Sequence, residues 1–206
     1  DIESESMAAI AGGVTSFFDM PNTIPNTTTI ELLEEKIKIA QQRSYANYAF
    51  YIGATDENIN YLLKTPLDEA CAIKIFIGSS TGNMILKNDD NISLLLKKAK
   101  IPVVVHAEHD GIIKENIERL KNKNIEPDFY LHHIIRNRDA CFSASEKIIN
   151  IAKKYNTQLH LAHISTIDEI KLLESNQNNK SITSETCPHY LYFDNSYYET
   201  LKGFIK

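Results

Sequence analysis

Cysteine is scarce in this sequence, with three residues in 206, and the three lie far apart. Cys71, Cys141 and Cys187 form no Cys-x-x-Cys pair, and their odd number does not suit a framework of intrachain disulfides. A small disulfide-stapled domain and a zinc site built from thiolates are therefore excluded. We expect each cysteine to fill a small apolar space.

Long apolar runs and a surplus of positive charge are also lacking. No stretch approaches the roughly 18–20 continuous apolar residues of a membrane span, and Asp1–Met7 is acidic rather than signal-like. The formal net charge is −5, and the scattered Lys and Arg residues form no basic stripe for nucleic acid or an anionic membrane. We expect a cytoplasmic protein whose partner is a small molecule.

What the sequence does contain is an alternation of short apolar runs with longer helical patterns, which is typical of βα units and a parallel sheet. With 43% hydrophobic residues and no linker or repeat, we expect one domain over residues 1–206. The predicted strands are Val14–Met20, Tyr48–Ala54, Ala72–Ile77, Pro102–His106, Gln158–Ile164 and Ser181–Thr186.

Helical patterns lie between these strands and at both ends of the chain. Ile2–Ala11 precedes Gly12-Gly13, Arg138–Tyr155 carries apolar residues at helical spacing, and Tyr197–Lys206 resembles a helix start. Thr28-x-x-Glu31 and Thr166-x-x-Glu169 are candidate capping boxes. Six strands with helices outermost predict an α/β fold, part of a (β/α)8 barrel without its first and last strands.

The polar residues cluster after the strands, where parallel βα folds place their functional loops. His106 and His163 each lie near the carboxyl end of a strand, and imidazole is a common ligand of first-row divalent metals. Two strand-end histidines with acidic neighbours favour a metal site over satisfied structural histidines.

Lys74 is unusual because Ala72-Ile-Lys-Ile-Phe-Ile77 is otherwise a strand buried on both faces. A free ammonium there is costly, so the lysine must pair with a carboxylate, have a lowered pKa, form a Schiff base or be chemically converted. An ion pair in the barrel interior is the structural alternative to a metal-site role.

Other loops admit two interpretations each. Asn22 lies between prolines, so turn formation competes with hydrogen bonding to a substrate. Gly78–Asn83 resembles a phosphate loop only weakly, because it lacks the Gly-Lys-Ser/Thr ending. Glu108 and Glu185 either orient metal ligands or pair with cations.

Five segments together resemble dihydroorotases, within the cyclic amidohydrolase superfamily, over nearly the whole chain and in the family's order. They are Phe18-Asp-Met-Pro-Asn-Thr23, Lys74-Ile-Phe-Ile-Gly-Ser-Ser-Thr-Gly-Asn83, Val105-His-Ala-Glu108, Leu161-Ala-His-Ile-Ser-Thr166 and Glu185-Thr-Cys-Pro-His-Tyr190.

The resemblance implies a barrel with one or two zinc ions, bridged by a strand lysine that carbon dioxide has carbamylated. Lys74 matches that lysine, His106 and His163 match histidines that hold the second metal, and Asn22 matches a residue that helps bind the substrate carboxylate. Glu185 and His189 fall in a motif near the metals without a firm role. Homodimers are common in that family, so a homodimer is an expectation by analogy.

The resemblance also implies what this chain should lack. The family's His-x-His-x-Arg motif would precede Asp1, and its metal-bound, proton-transferring aspartate would follow Lys206, so we expect no catalytic residue within these residues. The implied activity of the intact protein is interconversion of N-carbamoyl-L-aspartate and L-dihydroorotate, in the synthesis of pyrimidines. A hydantoinase, dihydropyrimidinase or allantoinase is the alternative enzyme, although Pro21–Thr23 and Ser79–Asn83 favour dihydroorotase. A non-catalytic homologue is the alternative from another class.

Overall fold

The predicted alternation of strands and helices is present in a computed structural model, which describes residues 1–78 and 84–205. Within those residues the strands are β1 (Ser16–Asp19), β2 (Asn47–Gly53), β3 (Ala72–Ile77), β4 (Val103–Ala107), β5 (Leu159–Leu161) and β6 (Ile182–Ser184). The helices are α1 (Ile2–Ala11), α2 (Ile30–Arg43), α3 (Ile59–Leu62), α4 (Asp89–Lys98), α5 (Asp110–Lys121), α6 (His132–Ile135), α7 (Arg138–Tyr155), α8 (Ile167–Glu174) and α9 (Tyr198–Leu201).

The strands form a six-stranded sheet in the order β1-β2-β3-β4-β5-β6, so each strand lies beside its neighbour in the sequence. The pairs β1–β2, β2–β3 and β5–β6 are parallel, with helices on the connections between them. Sequential parallel strands with helical crossovers are the arrangement of a (β/α)8 barrel. The prediction of a partial barrel of about six βα units is therefore confirmed.

The described residues divide into two compact units. The first comprises Asp1–Phe76 with residues 84–104, and the second comprises Ile77 and Gly78 with residues 105–205. The core of the first unit is made of buried side chains from β2, β3, α2 and α4, among them Phe50, Ile75 and Leu95. The core of the second is made of β4, α7 and β5, among them Val105 and Ile148. That residues 1–206 form one domain stays a prediction.

Several strands are shorter than their sequence patterns predict, and backbone conformation explains two of them. β1 begins at Ser16 rather than Val14, because the Val14 amide donates to the Ala9 carbonyl at the end of α1, at 2.8 Å. β5 ends at Leu161 rather than Ile164, because His163 has φ +45°, which extended backbone does not allow. Apolar patterning alone does not contain this information.

Helix ends follow the capping chemistry with one correction. Thr166 caps α8 as predicted and accepts a hydrogen bond from the Glu169 amide at 3.2 Å. The cap of α2 is Thr29, which accepts from the Leu32 amide at 3.4 Å, and not Thr28. Adjacent threonines offer the same chemistry, and only the path of the chain decides which one caps the helix.

Two other expectations can be compared with the structure. Cys71, Cys141 and Cys187 are all free thiols and all half-buried, and burial raises the pKa of Cys71 to about 11. Within the part of the chain that the structure describes, no helix combines the length and the apolar character needed to cross a bilayer.

Candidate functional site

The carboxyl end of β4 carries two polar side chains of the second unit. Val103–Val105 are buried, His106 is half-buried at the end of the strand, and Glu108 follows with only 7% of its surface exposed. The Glu108 amide donates to the Ile77 carbonyl at 2.9 Å. The backbone at the end of β4 is therefore held by hydrogen bonding, which fixes the positions from which the His106 and Glu108 side chains extend.

Gly78 fits closely against this strand end. It has φ +89°, and a Cβ on it would lie 2.1 Å from the Glu108 carbonyl oxygen. Any side chain at this position would displace the backbone of Glu108. The remainder of the Gly78–Asn83 loop lies outside the described residues, so its weak resemblance to a phosphate loop stays untested.

His163 is placed by the end of β5. Its neighbours are held on both sides, since the Ala162 amide donates to the Val105 carbonyl at 3.0 Å and the Ile164 amide donates to the Glu185 carbonyl at 2.8 Å. His163 itself lies in the left-handed region at φ +45°. Such a conformation costs a non-glycine residue about 1–2 kcal/mol, so the surrounding structure must enforce it.

This arrangement brings His106 and His163 together, as the sequence predicted. Nδ1 of His106 lies 2.9 Å from Nε2 of His163, and the rings meet edge to face with centroids 4.8 Å apart. On its other side, Nε2 of His106 lies 2.9 Å from Oε2 of Glu108. Because a carboxylate only accepts, Nε2 of a neutral His106 carries the hydrogen, and Nδ1 then accepts from His163.

Glu108 also binds Arg136 with both oxygens. Nε of Arg136 donates to Oε1 at 2.9 Å, and Nη2 donates to Oε2. Burial of Glu108 opposes its charged form, but hydrogen bonds from His106 and Arg136 and the positive charge of Arg136 lower its pKa to about 2. Glu108 is therefore a carboxylate at neutral pH, and its hydrogen bonds raise the pKa of Arg136 in turn.

Arg136 is the functional candidate that sequence reasoning missed. It lies just after α6, in an Ile-Arg-Asn-Arg segment without an obvious motif. The available signal was Glu108 itself, because a carboxylate placed after a buried strand requires a cation. Nothing in the local pattern indicates which Arg or Lys supplies that cation.

Lys74 lies in the first unit, in the middle of β3, with 1% of its surface exposed. Buried Ile73 and Ile75 flank it in the strand, and its ammonium lies 5.1 Å from the centroid of the Phe76 ring. The predicted burial of this lysine is confirmed. Its role as a metal ligand stays a prediction.

Asn22 lies in the loop after β1, also in the first unit, and is half-buried. Lys36 holds the start of this loop, since its ammonium lies 2.5 Å from Asp19 and donates to the Met20 carbonyl at 2.9 Å. Further along, the Thr27 amide donates to the Pro21 carbonyl at 2.8 Å. The loop is thus anchored at both ends, while substrate binding by Asn22 stays a prediction.

The first unit also contains an apolar cavity of about 650 Å³ between α1, β1 and α2. Its charged lining residues include Asp19 and Lys36, which already pair with each other. The His106–Glu108 cluster belongs to the second unit and does not line this cavity.

Glu185 and His189 follow β6 and are both exposed. The Glu185 carboxylate lies 3.6 Å from Nε2 of His160, and the His189 ring packs against Tyr190 with centroids 4.4 Å apart. Pairing of Glu185 with a cation was one of its two predicted roles, and the other was orientation of a metal ligand.

The two imidazoles fit a metal ion in part. Two nitrogen ligands at about 2.0–2.1 Å from a tetrahedral zinc lie about 3.3 Å apart, close to the 2.9 Å found here. Over the described ranges, however, no three His, Cys, Asp or Glu side chains are grouped so that they could hold a metal ion. A complete site therefore needs a donor of another kind, such as a modified lysine, or a donor outside these residues.

Comparison with curated proteins gives consistent matches. The chain is 29% identical to the dihydroorotase of Methanosphaera stadtmanae over 196 residues, which is 94% of this chain and 44% of that protein. It is 32% identical to the dihydroorotase of Pyrococcus abyssi over 98% of this chain and 43% of that protein. The allantoinase of Bacillus velezensis is also 32% identical, over 93% of this chain and 43% of that protein. The chain thus spans less than half the length of these relatives.

Among solved structures, the L-hydantoinase of Arthrobacter aurescens superposes on the whole chain with a TM-score of 0.92, at 24% identity and over 47% of that protein. This match establishes the partial barrel fold. No family model matches the chain.

Proposed function

We propose that this chain, a dihydroorotase-like segment of a cyclic amidohydrolase, comes from an enzyme that interconverts N-carbamoyl-L-aspartate and L-dihydroorotate. The observation that carries the proposal is the similarity to dihydroorotases along nearly the entire chain. The reaction would belong to pyrimidine synthesis in the cytoplasm. The partner is then a small molecule, and a homodimer is the expected assembly.

The proposed metal ligands are Lys74, His106 and His163, for one or two zinc ions. The contact between the two imidazoles supports this, because their facing nitrogens are near the spacing of two zinc ligands. The burial of Lys74 supports the rest, since a carbamate on its amine would be an anion between cations rather than a buried ammonium. A bound divalent metal would lower the pKa of a water molecule so that it attacks the ring amide carbonyl.

The chain's own residues would bind and orient. His106 and His163 would hold the metal from the ends of β4 and β5, and Glu108 would hold His106. Asn22 would donate its amide N–H to the substrate carboxylate from a loop that Lys36 anchors. None of these four residues is proposed as the proton-transferring group.

A second function rests on a specific observation. The allantoinase of Bacillus velezensis is as similar in identity as the dihydroorotase of Pyrococcus abyssi, so another cyclic amide is the alternative substrate. The same metal ligands are proposed for hydrolysis of either substrate ring.

A non-catalytic relative would have the same fold without catalytic activity.

The test is a substrate comparison on the intact protein, purified with zinc. We expect hydrolysis of dihydroorotate to exceed that of allantoin, hydantoin and dihydrouracil. Activity on allantoin with none on dihydroorotate would assign the alternative substrate. Inactivity on all four rings, in protein that carries zinc, would favour the non-catalytic relative.

A further inference from the structure

We propose that Glu108 and Arg136 are positioning residues, which hold His106 with hydrogen on Nε2 so that the Nδ1 lone pair faces His163. The inference rests on the proposed function, because it concerns how one proposed metal ligand is prepared. It goes beyond that function because it assigns a positioning role to Arg136 and states which of the two histidines changes its tautomer when a metal binds.

The carboxylate of Glu108 is shared between its two partners. Oε1 accepts from Nε of Arg136 at 2.9 Å, and Oε2 accepts from Nε2 of His106 at 2.9 Å and from Nη2 of Arg136. A planar guanidinium that binds both oxygens fixes the plane of the carboxylate. The fixed plane then sets the direction from which the His106 ring can donate.

The backbone of Glu108 is fixed, so it would not move with the His106 ring if that ring rotated. Glu108 is bonded through its amide to Ile77, and the next amide, that of His109, donates to the Ala140 carbonyl at 3.0 Å. Gly78 lies so close to the Glu108 carbonyl that even a methyl group would not fit between them. The main chain of Glu108 is therefore held in place, and the two bonds from Arg136 orient its carboxylate.

Arg136 is held equally well. Its amide donates to the His132 carbonyl at 2.8 Å, and the buried side chain of Asn116 donates to the Ile135 carbonyl at 3.1 Å. Arg138, two residues later, differs in having 71% of its side chain exposed and only a 4.0 Å pair with Asp168. The neighbouring arginines thus offer a test residue and a matched control.

The chemical consequence is an asymmetry between the histidines. An imidazole binds a metal through the nitrogen that carries no hydrogen, and the partner of its other nitrogen decides which one that is. Because Nε2 of His106 donates to Glu108, Nδ1 of His106 carries no hydrogen and can bind a metal without a change of tautomer. Nε2 of His163 donates to that Nδ1 in the metal-free contact, so its hydrogen must move to Nδ1 of His163 when a metal binds. Only His163 has to change tautomer.

The experiment is long-range ¹H–¹⁵N NMR on the intact protein with ¹⁵N-labelled histidine, without metal and after titration with Zn²⁺. We expect hydrogen on Nε2 of His106 in both states, and on Nε2 of His163 only before zinc is added. A purely structural role for the pair would not dictate these tautomers.

Glu108→Gln is the sharpest variant, because an amide has one oxygen and Arg136 occupies it. The NH₂ group then faces His106, which must turn its lone pair to Nε2 and carry hydrogen on Nδ1. We expect this reversal, together with a 10–100-fold weaker Kd for Zn²⁺. Arg136→Lys, which keeps the charge but not the paired donors, should give an intermediate Kd. Glu115 is an exposed residue of α5, and the controls Glu115→Gln and Arg138→Ala should change neither measurement.

Hydrogen on Nδ1 of His106 in the unaltered protein would overturn the inference, as would an unchanged tautomer and an unchanged Kd in both Glu108→Gln and Arg136→Lys. If Glu108→Gln does not fold, Arg136→Lys alone decides through its Kd. If the metal-free protein shows the expected tautomers but binds no Zn²⁺, the positioning by Glu108 and Arg136 is supported and the proposed metal site is refuted. Failure of the inference and failure of the proposed function are therefore distinguishable.

Discussion

Lys74 and Glu108 are both buried charged residues of barrel strands or strand ends, yet their surroundings differ. Lys74 lies in the first unit within a strand of apolar residues, beside the ring of Phe76. Glu108 lies in the second unit against His106 and Arg136, which occupy both carboxylate oxygens. The difference teaches that burial alone does not define a role. Glu108 is stabilised as an anion by its neighbours, whereas the chemical state of Lys74 stays a prediction.

The largest expected effect comes from Lys74→Met, which replaces the lysine with an apolar chain of similar length. In the intact protein we expect activity to fall by more than the 10–100-fold that loss of an outer-shell partner costs. Thermal unfolding of the metal-free variant separates this loss from instability, because removal of a lysine that serves only as an interior ion-pair partner would cost about 3–5 kcal/mol of the free energy of unfolding. Steady-state kinetics and thermal unfolding measure the two effects.

Lys38→Met on the exposed face of α2 is the matched control and should alter neither quantity. Full activity in Lys74→Met would remove Lys74 from the proposed metal site. A loss of several degrees in Tm for the metal-free variant would support the interior ion pair instead.

Arg136→Ala tests the role of the neighbours that stabilise Glu108 as an anion. It leaves Glu108 buried without its main counter-charge, and we expect a loss of about 3 kcal/mol in the free energy of unfolding. Adding Glu108→Leu to Arg136→Ala should recover much of that loss, because the uncompensated charge is gone. Urea denaturation of the single and double variants measures both, and additive losses would contradict the coupling.

Gly78→Ala should cost about 2 kcal/mol or more, through the positive φ and the contact with the Glu108 carbonyl. Gly13→Ala is a close control, since Gly13 has φ +85° but open space around its Cβ position. It should show the backbone cost alone, about 1 kcal/mol. Equal losses in the two variants would mean that the close approach to Glu108 does not matter for stability.

The smallest expected effect is at Asp56 in the first unit. Burial opposes its charged form, but hydrogen bonds from Asn91 and from the amides of Lys87 and Asn88 lower its pKa. A carboxyl with a lowered folded pKa contributes stability above its unfolded pKa of about 3.9, and loses that contribution as the pH falls further. Asp56→Asn should therefore reduce the drop in Tm between pH 5 and about pH 3. The exposed Asp68→Asn should not, and identical acid profiles for all three proteins would contradict the assignment.

Much of the architecture was predictable because periodicity is a local property. The alternation of strands and helices predicted all six strands, and the approximate extent predicted for α7 matches the helix found. The strand-end histidines were predictable as a pair, since parallel strands in sequential order present their carboxyl ends at one edge. The lengths of β1 and β5 were not, because the Val14 amide bonds back to α1 and His163 adopts a left-handed backbone angle, and apolar patterning encodes neither.

The sequence by itself determined that a lysine is buried in β3 and that imidazoles lie at the carboxyl ends of β4 and β5, because these depend on the composition and order of short segments. Only the tertiary structure decided that Arg136 is the partner of Glu108, 28 residues along the chain, and that Gly78 closes against the same strand end. It also decided which nitrogen of His106 faces His163. Such choices depend on distances of a few tenths of an ångström between segments that are remote in sequence, and local patterns do not encode those distances.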